Sequence, residues 1–334
     1  MSTTPHHQLA ARLDSQGLIF ARKIDAEGKS HHLSEPPSHL PAEGDDWIWV
    51  HLDLVDRRAL RWIAGLNLSP KAQAAFVSED TRPHLDHTPG FISGIFAEMT
   101  SESSRQTGRE RLLRFAIGPH IIITGRHHPL HDVERLHDQL DHGLRLTHPA
   151  AILEQVIDMS LDRLQADVDA MLLATNRIED KVIEQGGTDA DGEIAGLRRK
   201  AVTIHRELSL ARPLLRRLAE VGGAMEFPAA QVKEAEVQFG KCEALQGEVH
   251  VLQERARLLK DEVASNVASD MNRSLYIISV ISALLLPPSL IFGLFGINVG
   301  GLPLLNNDWG FISVVVIGIV TSVIVFMLLR RRKK

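Results

Sequence analysis

The chain has 334 residues, a formal net charge of −5 and 44% hydrophobic residues, a composition typical of a globular protein with a core of its own. The charge is uneven: residues 274–334 carry a net charge of +4, so residues 1–273 carry −9. Because an acidic surface repels phosphate backbones, we expect no nucleic-acid partner. The single cysteine, Cys242, excludes an intrachain disulfide and is consistent with a reducing cytosol.

Residues 1–149 have the pattern of a cytoplasmic α/β domain. Between Gly17 and Arg126, short β-rich runs alternate with short helical runs, and Gly118-Pro119 marks a turn between two strands. The β-rich runs are GLIFARKI, WIWVHLDL, FISGIFAEMT and RLLRFAIGPHIIITGR.

Residues 150–228 are predicted to form an antiparallel helical hairpin, and residues 229–294 to form a stalk that continues into a membrane crossing. In each helix a seam of mostly apolar side chains recurs every three or four positions. The first seam comprises Ile157, Leu161, Leu164, Val168, Leu172, Thr175, Ile178 and Val182. The second comprises Ile194, Leu197, Ala201, Ile204, Leu208, Ala211, Leu215 and Leu218. The stalk seam comprises Leu245, Val249, Leu252, Ala256, Leu259 and Val263.

Two apolar runs near the carboxyl end are long enough to cross a bilayer. Leu275–Leu294 and Gly310–Leu329 are uncharged, and 20 helical residues span a hydrocarbon core of about 30 Å. The basic segment at 330–334 is expected to remain in the cytoplasm, which places the amino-terminal part on the same side and an outer loop at 295–309. We therefore predict a two-pass protein of the inner (plasma) membrane.

Two crossings cannot enclose a water-filled path, so conduction requires several copies of the chain. The first crossing is the better lining, because it carries Ser279, Ser282 and Ser289, with Asn272 below them. The alternative is that these hydroxyls only join helices within lipid.

The segment from Asn272 to Asn298, NRSLYIISVISALLLPPSLIFGLFGIN, resembles the pore helix of the CorA superfamily of divalent-cation transporters, which ends in Gly-Met-Asn. Ile297 in place of Met, the following VGGLP and Tyr276 are similar to the ZntB-like zinc transporter branch. WVHLD (49–53) and EDTRP (79–83) also resemble that branch, as does the order of the domains.

The resemblance implies a homopentameric funnel with an α/β cytoplasmic domain, a long helical stalk and two transmembrane helices. It implies a selectivity filter at the outer mouth formed by Gly296, Ile297 and Asn298, where five amide oxygens would face an arriving cation. The pore-lining positions that it implies are Asn272, Leu275, Ile278, Ser282, Leu286, Ser289 and Gly293. The apolar members Leu275, Ile278 and Leu286 would be constrictions that gate by dewetting.

Acidic residues near the pore are few. Asp308 is the only acid in the outer loop, so the attraction for cations at the mouth is smaller than in the magnesium branch. At the inner end, Asp261, Glu262 and Asp270 could form negative rings, or they could simply solvate the stalk.

Fifteen of the 17 histidines lie before residue 150. His127, His131, His137 and His142 are candidate zinc ligands. The first two lie in the segment RHHPLH, and the i,i+4 pairs His137/Asp141 and Asp138/His142 could put imidazole and carboxylate groups on one helix face. The alternative is a solvated surface helix, since the sequence contains no complete tetrahedral set.

These features predict a channel for divalent cations, most simply Zn²⁺ imported under the membrane potential, passively or with modest proton assistance. The alternatives are a channel for Mg²⁺, Co²⁺ or Ni²⁺, a zinc exporter, and a non-conducting membrane-anchored metal sensor or scaffold. We expect no cofactor and no enzymatic activity, because the chain has no phosphate-binding Gly-Lys-Ser loop, no Gly-x-Ser-x-Gly elbow and no His-Glu-x-x-His motif.

Overall fold

The computed structural model describes residues 17–41, 44, 46–99, 111–185, 190–222, 229–296 and 309–331. The chain divides into two compact units. The first comprises residues 1–178 and 192–257, and the second comprises residues 179–191 and 258–334. The sheet lies in the first unit, and both uncharged runs of membrane length lie in the second.

A seven-stranded sheet forms the centre of the first unit. Its strands are β1 (Leu18–Ile24), β2 (Ser30–Leu33), β3 (Trp47–Asp53), β4 (His84–Thr88), β5 (Phe91–Ala97), β6 (Leu112–Ile117) and β7 (Ile121–Arg126). In the spatial order β2-β1-β3-β7-β6-β5-β4, all neighbours are antiparallel except β3 and β7, which are parallel. The predicted turn at Gly118-Pro119 is confirmed, since it joins β6 to β7.

The sequence does not predict β2 and β4, which are the two edges of the sheet. Their sequences, SHHL and HLDHT, are polar and rich in histidine. An edge strand pairs on one side only, and polar side chains there discourage pairing with another chain. Such edge strands can form without the apolar, β-rich sequence from which the other strands were predicted.

Helices cover both faces of the sheet. Helices α1 (Arg57–Gly65) and α2 (Pro70–Val77) share an apolar cluster with Val50 of β3. Helix α3 (His131–Asp141) covers the other face, where the rings of Phe20 and His137 lie 4.2 Å apart and Phe20 meets Trp49 edge-on at 4.7 Å. The predicted α/β domain is therefore confirmed, with the sheet between two helical layers.

Four long helices follow the sheet: α4 (Ala150–Gln185), α5 (Asp191–Gly222), α6 (Ala229–Gly296) and α7 (Gly310–Arg331). Within the first unit, side-chain contacts join α4, α5 and the beginning of α6. The contacts are Lys241–Asp158 at 2.6 Å, Gln165–Glu248 at 3.4 Å, Arg212–Glu243 at 2.6 Å and Gln246–Ser209 at 3.2 Å. Residue numbers rise together between α4 and α6 and run in opposition between α5 and α6, so α4 is parallel to α6 and α5 is antiparallel to it.

The seams are buried as predicted, with one correction in α4. Leu172 is 43% exposed, whereas Met171 is 2% exposed and occupies the seam. The spacing from Val168 to Met171 to Thr175 restores a strict alternation of three and four residues, which keeps the seam on one side of the helix. All predicted seam residues of α5 and α6 are buried.

Candidate functional site

Among the described residues, two segments are long and apolar enough to cross a membrane. They lie in Gln231–Gly296, with a mean hydropathy of 2.2 in its most apolar window, and in Gly310–Leu329, with 2.9. None of the first window and 11% of the second is buried by the rest of the chain. A buried helix of a soluble core would be covered, so this exposure favours contact with lipid or with other copies of the chain.

Every predicted pore-lining residue on α6 is exposed in the single chain. They are Asn272, Leu275, Ile278, Ser282, Leu286, Ser289 and Gly293. With about 100° of rotation per residue, these positions fall within an arc of about 120° on one side of the helix. They therefore form one continuous stripe.

Helix α7 packs against the opposite side of α6. A Cβ atom added at Gly318 would lie 3.2 Å from Cζ of Phe292 and 3.7 Å from Cβ of Pro288, so the two helices approach closely there. The half-buried positions of α6 in this stretch are Val280, Ala283, Leu284, Pro287, Pro288, Ile291 and Phe295. None of them belongs to the predicted pore stripe, so one face of α6 is covered by α7 and the other remains open.

The hydroxyl of Ser289 is oriented by its own helix. Ser289 Oγ donates to the carbonyl oxygen of Leu285 at 2.7 Å, and Ser279 Oγ donates in the same way to Leu275 at 2.8 Å. Because the hydroxyl hydrogen is used within the helix, the oxygen lone pairs of Ser289 remain available as acceptors. Such an oxygen can accept hydrogen bonds from water bound to a cation.

The outer mouth falls mostly outside the described residues. Gly296 is the last residue of α6, and Ile297, Asn298 and Asp308 lie outside the part of the chain that the structure describes. The filter and the loop acid therefore remain predictions.

The three acidic candidates at the inner end, Asp261, Glu262 and Asp270, are all exposed. By helical spacing, Asp261 lies within about 40° of Leu275, which belongs to the predicted pore stripe. Glu262 and Asp270 each lie more than about 130° around the helix from Leu275. Asp261 is thus the candidate whose position best suits an inner negative ring.

Two of the candidate histidines, His137 and His142, form hydrogen bonds with other groups of the protein. His137 Nε2 lies 2.9 Å from Nη2 of Arg22, so its lone pair accepts from a permanent cation. Burial lowers the pKa of His137 to about 4, and Arg22 acts in the same direction. His142 Nδ1 donates to the carbonyl oxygen of Asp138 at 2.8 Å.

The other two candidate histidines, His127 and His131, do not belong to a metal-binding cluster of the described residues either. Burial lowers the pKa of His127, while His131 is exposed at the start of α3. Among the described residues, no three His, Cys, Asp or Glu side chains are placed to hold a metal ion together.

A buried acidic network links the sheet to α3 and α4. Glu98 Oε1 accepts from the backbone N–H of Asp132 at 2.6 Å, and the Asp132 carboxylate is paired with Arg163 and accepts from Ser160 at 2.6 Å. Burial raises the pKa of Glu98 to about 7, and the hydrogen bond from the backbone N–H of Asp132 opposes that rise. Nothing in the sequence around Glu98 signals this network, because its members are brought together only by the fold.

The comparisons with known proteins agree with this architecture. The sequence profile of the family described as "CorA-like Mg2+ transporter protein" matches residues 44–331. The zinc transport protein ZntB of Photorhabdus laumondii is 25% identical over 289 residues, which cover 85% of this chain and 86% of that protein.

Two solved structures share the fold along nearly the whole chain. The full-length CmaX protein superposes with a TM-score of 0.78 and 21% identity, covering 96% of this chain and 99% of that one. The CorA magnesium transporter of Methanocaldococcus jannaschii superposes with a TM-score of 0.74 and 19% identity, covering 94% and 98%. The family match extends from the sheet through both membrane-length helices, and the chain therefore belongs to the CorA family of divalent-cation transporters.

Proposed function

We propose that the chain is the subunit of a homopentameric zinc channel in the inner (plasma) membrane, with both termini in the cytoplasm. The main support for this proposal is that the two sides of α6 differ. Helix α7 covers one side, whereas the stripe from Asn272 to Gly293 on the other side is exposed. Five copies with these stripes turned inward would enclose a path. Asn298 would stand at its outer mouth, at the end of the same helix.

The chemistry along this path suits a hydrated ion that passes through without being held. Residues 273–334 contain no histidine or cysteine and a single carboxylate, Asp308, so they offer no tight zinc site. Hydroxyl and amide oxygens such as those of Ser289 and Asn298 can receive the water shell of the ion. Release of the ion at the inner end is then fast, because no coordination bond between the protein and the metal has to break.

Import is the direction that this arrangement favours. For a divalent cation, an inside-negative potential contributes about 4.6 kcal/mol per 100 mV toward entry. Export would require an energy source, and the sequence from 274 to 334 contains no acid or histidine within the membrane runs that could relay protons. We propose passive entry, with at most modest proton assistance.

Zinc is proposed because the similar protein of Photorhabdus laumondii is named a zinc transport protein. Magnesium is the second candidate, since the family description and the structure from Methanocaldococcus jannaschii both name it. A ring of neutral amides attracts any hydrated divalent ion, so the filter alone does not discriminate between them.

The decisive experiment is flux into liposomes that contain only this protein. A zinc-sensitive dye is trapped inside, and a potassium gradient with an ionophore sets the potential in either polarity. We expect zinc entry that rises when the inside is negative and falls when the polarity is reversed, with protein-free liposomes as the control. Equal flux at both polarities contradicts electrophoretic import, and no flux at all favours the sensor or scaffold.

Two companion measurements address the metal and the assembly. Competition by Mg²⁺, Co²⁺ and Ni²⁺ in the same assay ranks the cations, and stronger flux of Mg²⁺ than of Zn²⁺ would favour the second candidate. The mass of the purified complex in detergent should equal that of five chains. A monomer or dimer that still conducts would contradict the pentameric path.

A further inference from the structure

Helix α6 contains two consecutive prolines within the membrane run, Pro287 and Pro288. Proline has no backbone N–H, so the carbonyl groups of Ala283 and Leu284, four residues earlier, lose their helical donors. In the hydrocarbon core water is absent, and an unsatisfied carbonyl there costs several kcal/mol. A donor from outside the helix is therefore valuable at this point.

Ser322 of α7 supplies such a donor. Its Oγ lies 3.1 Å from the carbonyl oxygen of Leu284 and 3.1 Å from the carbonyl oxygen of Gly318 in its own helix. The adjacent hydroxyl, that of Thr321, bonds only within α7, to Ile317 and Gly318 at 2.9 Å each. Of these two neighbouring hydroxyls, only that of Ser322 has a bond to the freed carbonyl.

The two helices also approach each other closely one turn away from this bond. Leu284, Pro288 and Phe292 form one row of α6, spaced by four residues, and they face Gly318 and Ser322, which have the same spacing on α7. Small residues at this spacing allow backbones to approach within hydrogen-bonding reach. The bond from Ser322 is thus supported by packing one turn away.

We propose that Ser322 is a positioning residue, which caps the Leu284 carbonyl freed by Pro288 and thereby fixes the direction that α6 takes beyond its prolines. Prolines are the usual origin of helix kinks, and the segment beyond a kink can turn relative to the segment before it. Ser289 and Gly293 lie beyond the prolines on the same helix, so the bond sets the direction of the outer part of the stripe. Its effect on ion flux, though not its effect on stability, rests on the proposed channel function.

The test is a double-mutant cycle in the full-length protein. Ser322→Ala removes the donor, whereas Pro288→Ala restores the backbone N–H and so satisfies Leu284 without Ser322. In the parental background, Ser322→Ala is expected to lower the equilibrium constant for folding in mixed micelles by about 3- to 15-fold. In the Pro288→Ala background the same change is expected to have less than about a twofold effect, because the carbonyl already has its helical donor.

Matched variants separate the bond from the packing. Thr321→Ala removes a neighbouring hydroxyl that bonds only its own helix, and less than about a twofold effect is expected. Ser322→Thr keeps the hydroxyl and should retain stability better than Ser322→Val, which has nearly the same shape and no donor. This pair decides the question even if Pro288→Ala fails to fold.

Zinc flux into liposomes is measured for the same variants. Ser322→Ala should change flux in the parental background and leave that of Pro288→Ala unaltered. Equal effects of Ser322→Ala in both backgrounds, or equal stability of the Thr and Val variants, would overturn the inference. If the parental protein moves no metal while the stability cycle still shows coupling, the proposed function fails and the capping bond stands.

Discussion

Apolar side chains of α6 are buried in one part of the helix and exposed in another. The seam residues from Leu245 to Val263 are at most 4% exposed, whereas Leu275, Ile278 and Leu286 are 52%, 60% and 67% exposed. Apolar side chains of the first stretch are covered by side chains of the same chain. Those of the second stretch require lipid or further copies, since exposed apolar area costs about 25 cal/mol per Å² in water.

Packing within the chain and the proposed transport therefore depend on different parts of α6. A change in the buried seam should affect folding, and a change in the open stripe should affect flux. An exposed leucine in the first part would face water, whereas an exposed leucine in the membrane run faces lipid or further copies of the chain.

The largest expected effect belongs to the buried seam. Leu208 is fully buried in α5, whereas Leu210, two residues later, is 47% exposed. We expect Leu208→Ala to destabilise the full-length protein in detergent by about 2–5 kcal/mol, because it leaves a cavity as well as losing apolar contact. Thermal unfolding followed by circular dichroism measures the change.

Leu210→Ala is the matched control and should shift the stability by less than about 0.5 kcal/mol. If both variants unfolded at the same temperature, α5 would not be packed through the seam described here.

The next effect concerns the outer end of the stripe. Asn298→Ala removes the amide oxygen from every copy, and we expect zinc flux to fall by about tenfold or more while folding is kept. Asn298→Asp should bind zinc more tightly yet release it more slowly, so that transport falls or is blocked. Flux and zinc binding are measured on the same preparations.

Asn298→Gly separates a filter from a helix cap, because glycine ends a helix at least as well as asparagine does. Parental flux in a well-folded Asn298→Gly protein would mean that the amide serves only the helix end.

Within the membrane run, the two sides of α6 should respond differently to the same change. Leu286 lies on the predicted pore stripe and Ile281 lies outside it, although both are exposed in the single chain. If Leu286 is a hydrophobic constriction, Leu286→Ala should raise zinc flux by about three- to tenfold by easing wetting of the path. Ile281→Ala should change the flux by less than about twofold. The reverse ranking in the liposome assay would place the path on another face of the helix.

The smallest expected effect comes from the acidic network of the first unit. Burial raises the pKa of Glu98 from 4.5 to about 7, so the folded state binds a proton that the unfolded state has released. The contribution of Glu98 to stability is therefore greatest below pH 4.5 and is lost as the pH rises toward 7. Arg111, whose Nη1 lies 3.5 Å from the carboxyl group, moderates this loss.

Glu98→Gln removes this titration and keeps a similar shape. Between pH 5 and 8, we expect the stability of the variant to vary by about 1 kcal/mol less than that of the parent, as measured by thermal unfolding in matched buffers. An identical pH dependence in parent and variant would mean that folding does not raise the pKa of Glu98.

Long periodic features were predictable because each is specified by residues close together in the chain. The five inner strands of the sheet, the seams of α5 and α6 and the two membrane runs all follow from spacing and length. The exception in α4, where Met171 takes the place predicted for Leu172, shows the limit of this reasoning. Both residues are apolar, and only the neighbouring helices decide which of two adjacent positions is covered.

The candidate site was predictable only in part. Helical spacing is sufficient to place Leu275, Ile278, Leu286 and Ser289 on one stripe, and the structure places α7 on the opposite side. The prediction grouped Asp261 with Glu262 and Asp270 because all three are acidic residues of one segment, although helical spacing places only Asp261 close to the stripe. It also suggested histidine ligands where the fold instead supplies Arg22 as the partner of His137.

The family, the two membrane-length runs and the helical seams could be predicted from the sequence, because they depend on periodicity, length and a local motif. Tertiary structure alone decided which groups far apart in the chain meet: Glu98 with Asp132 and the Leu284 carbonyl with Ser322. The physical reason is that a hydrogen bond depends on positions to within a fraction of an ångström. Hydrophobic burial depends mainly on which face of a helix or strand a residue occupies, and sequence spacing gives that directly.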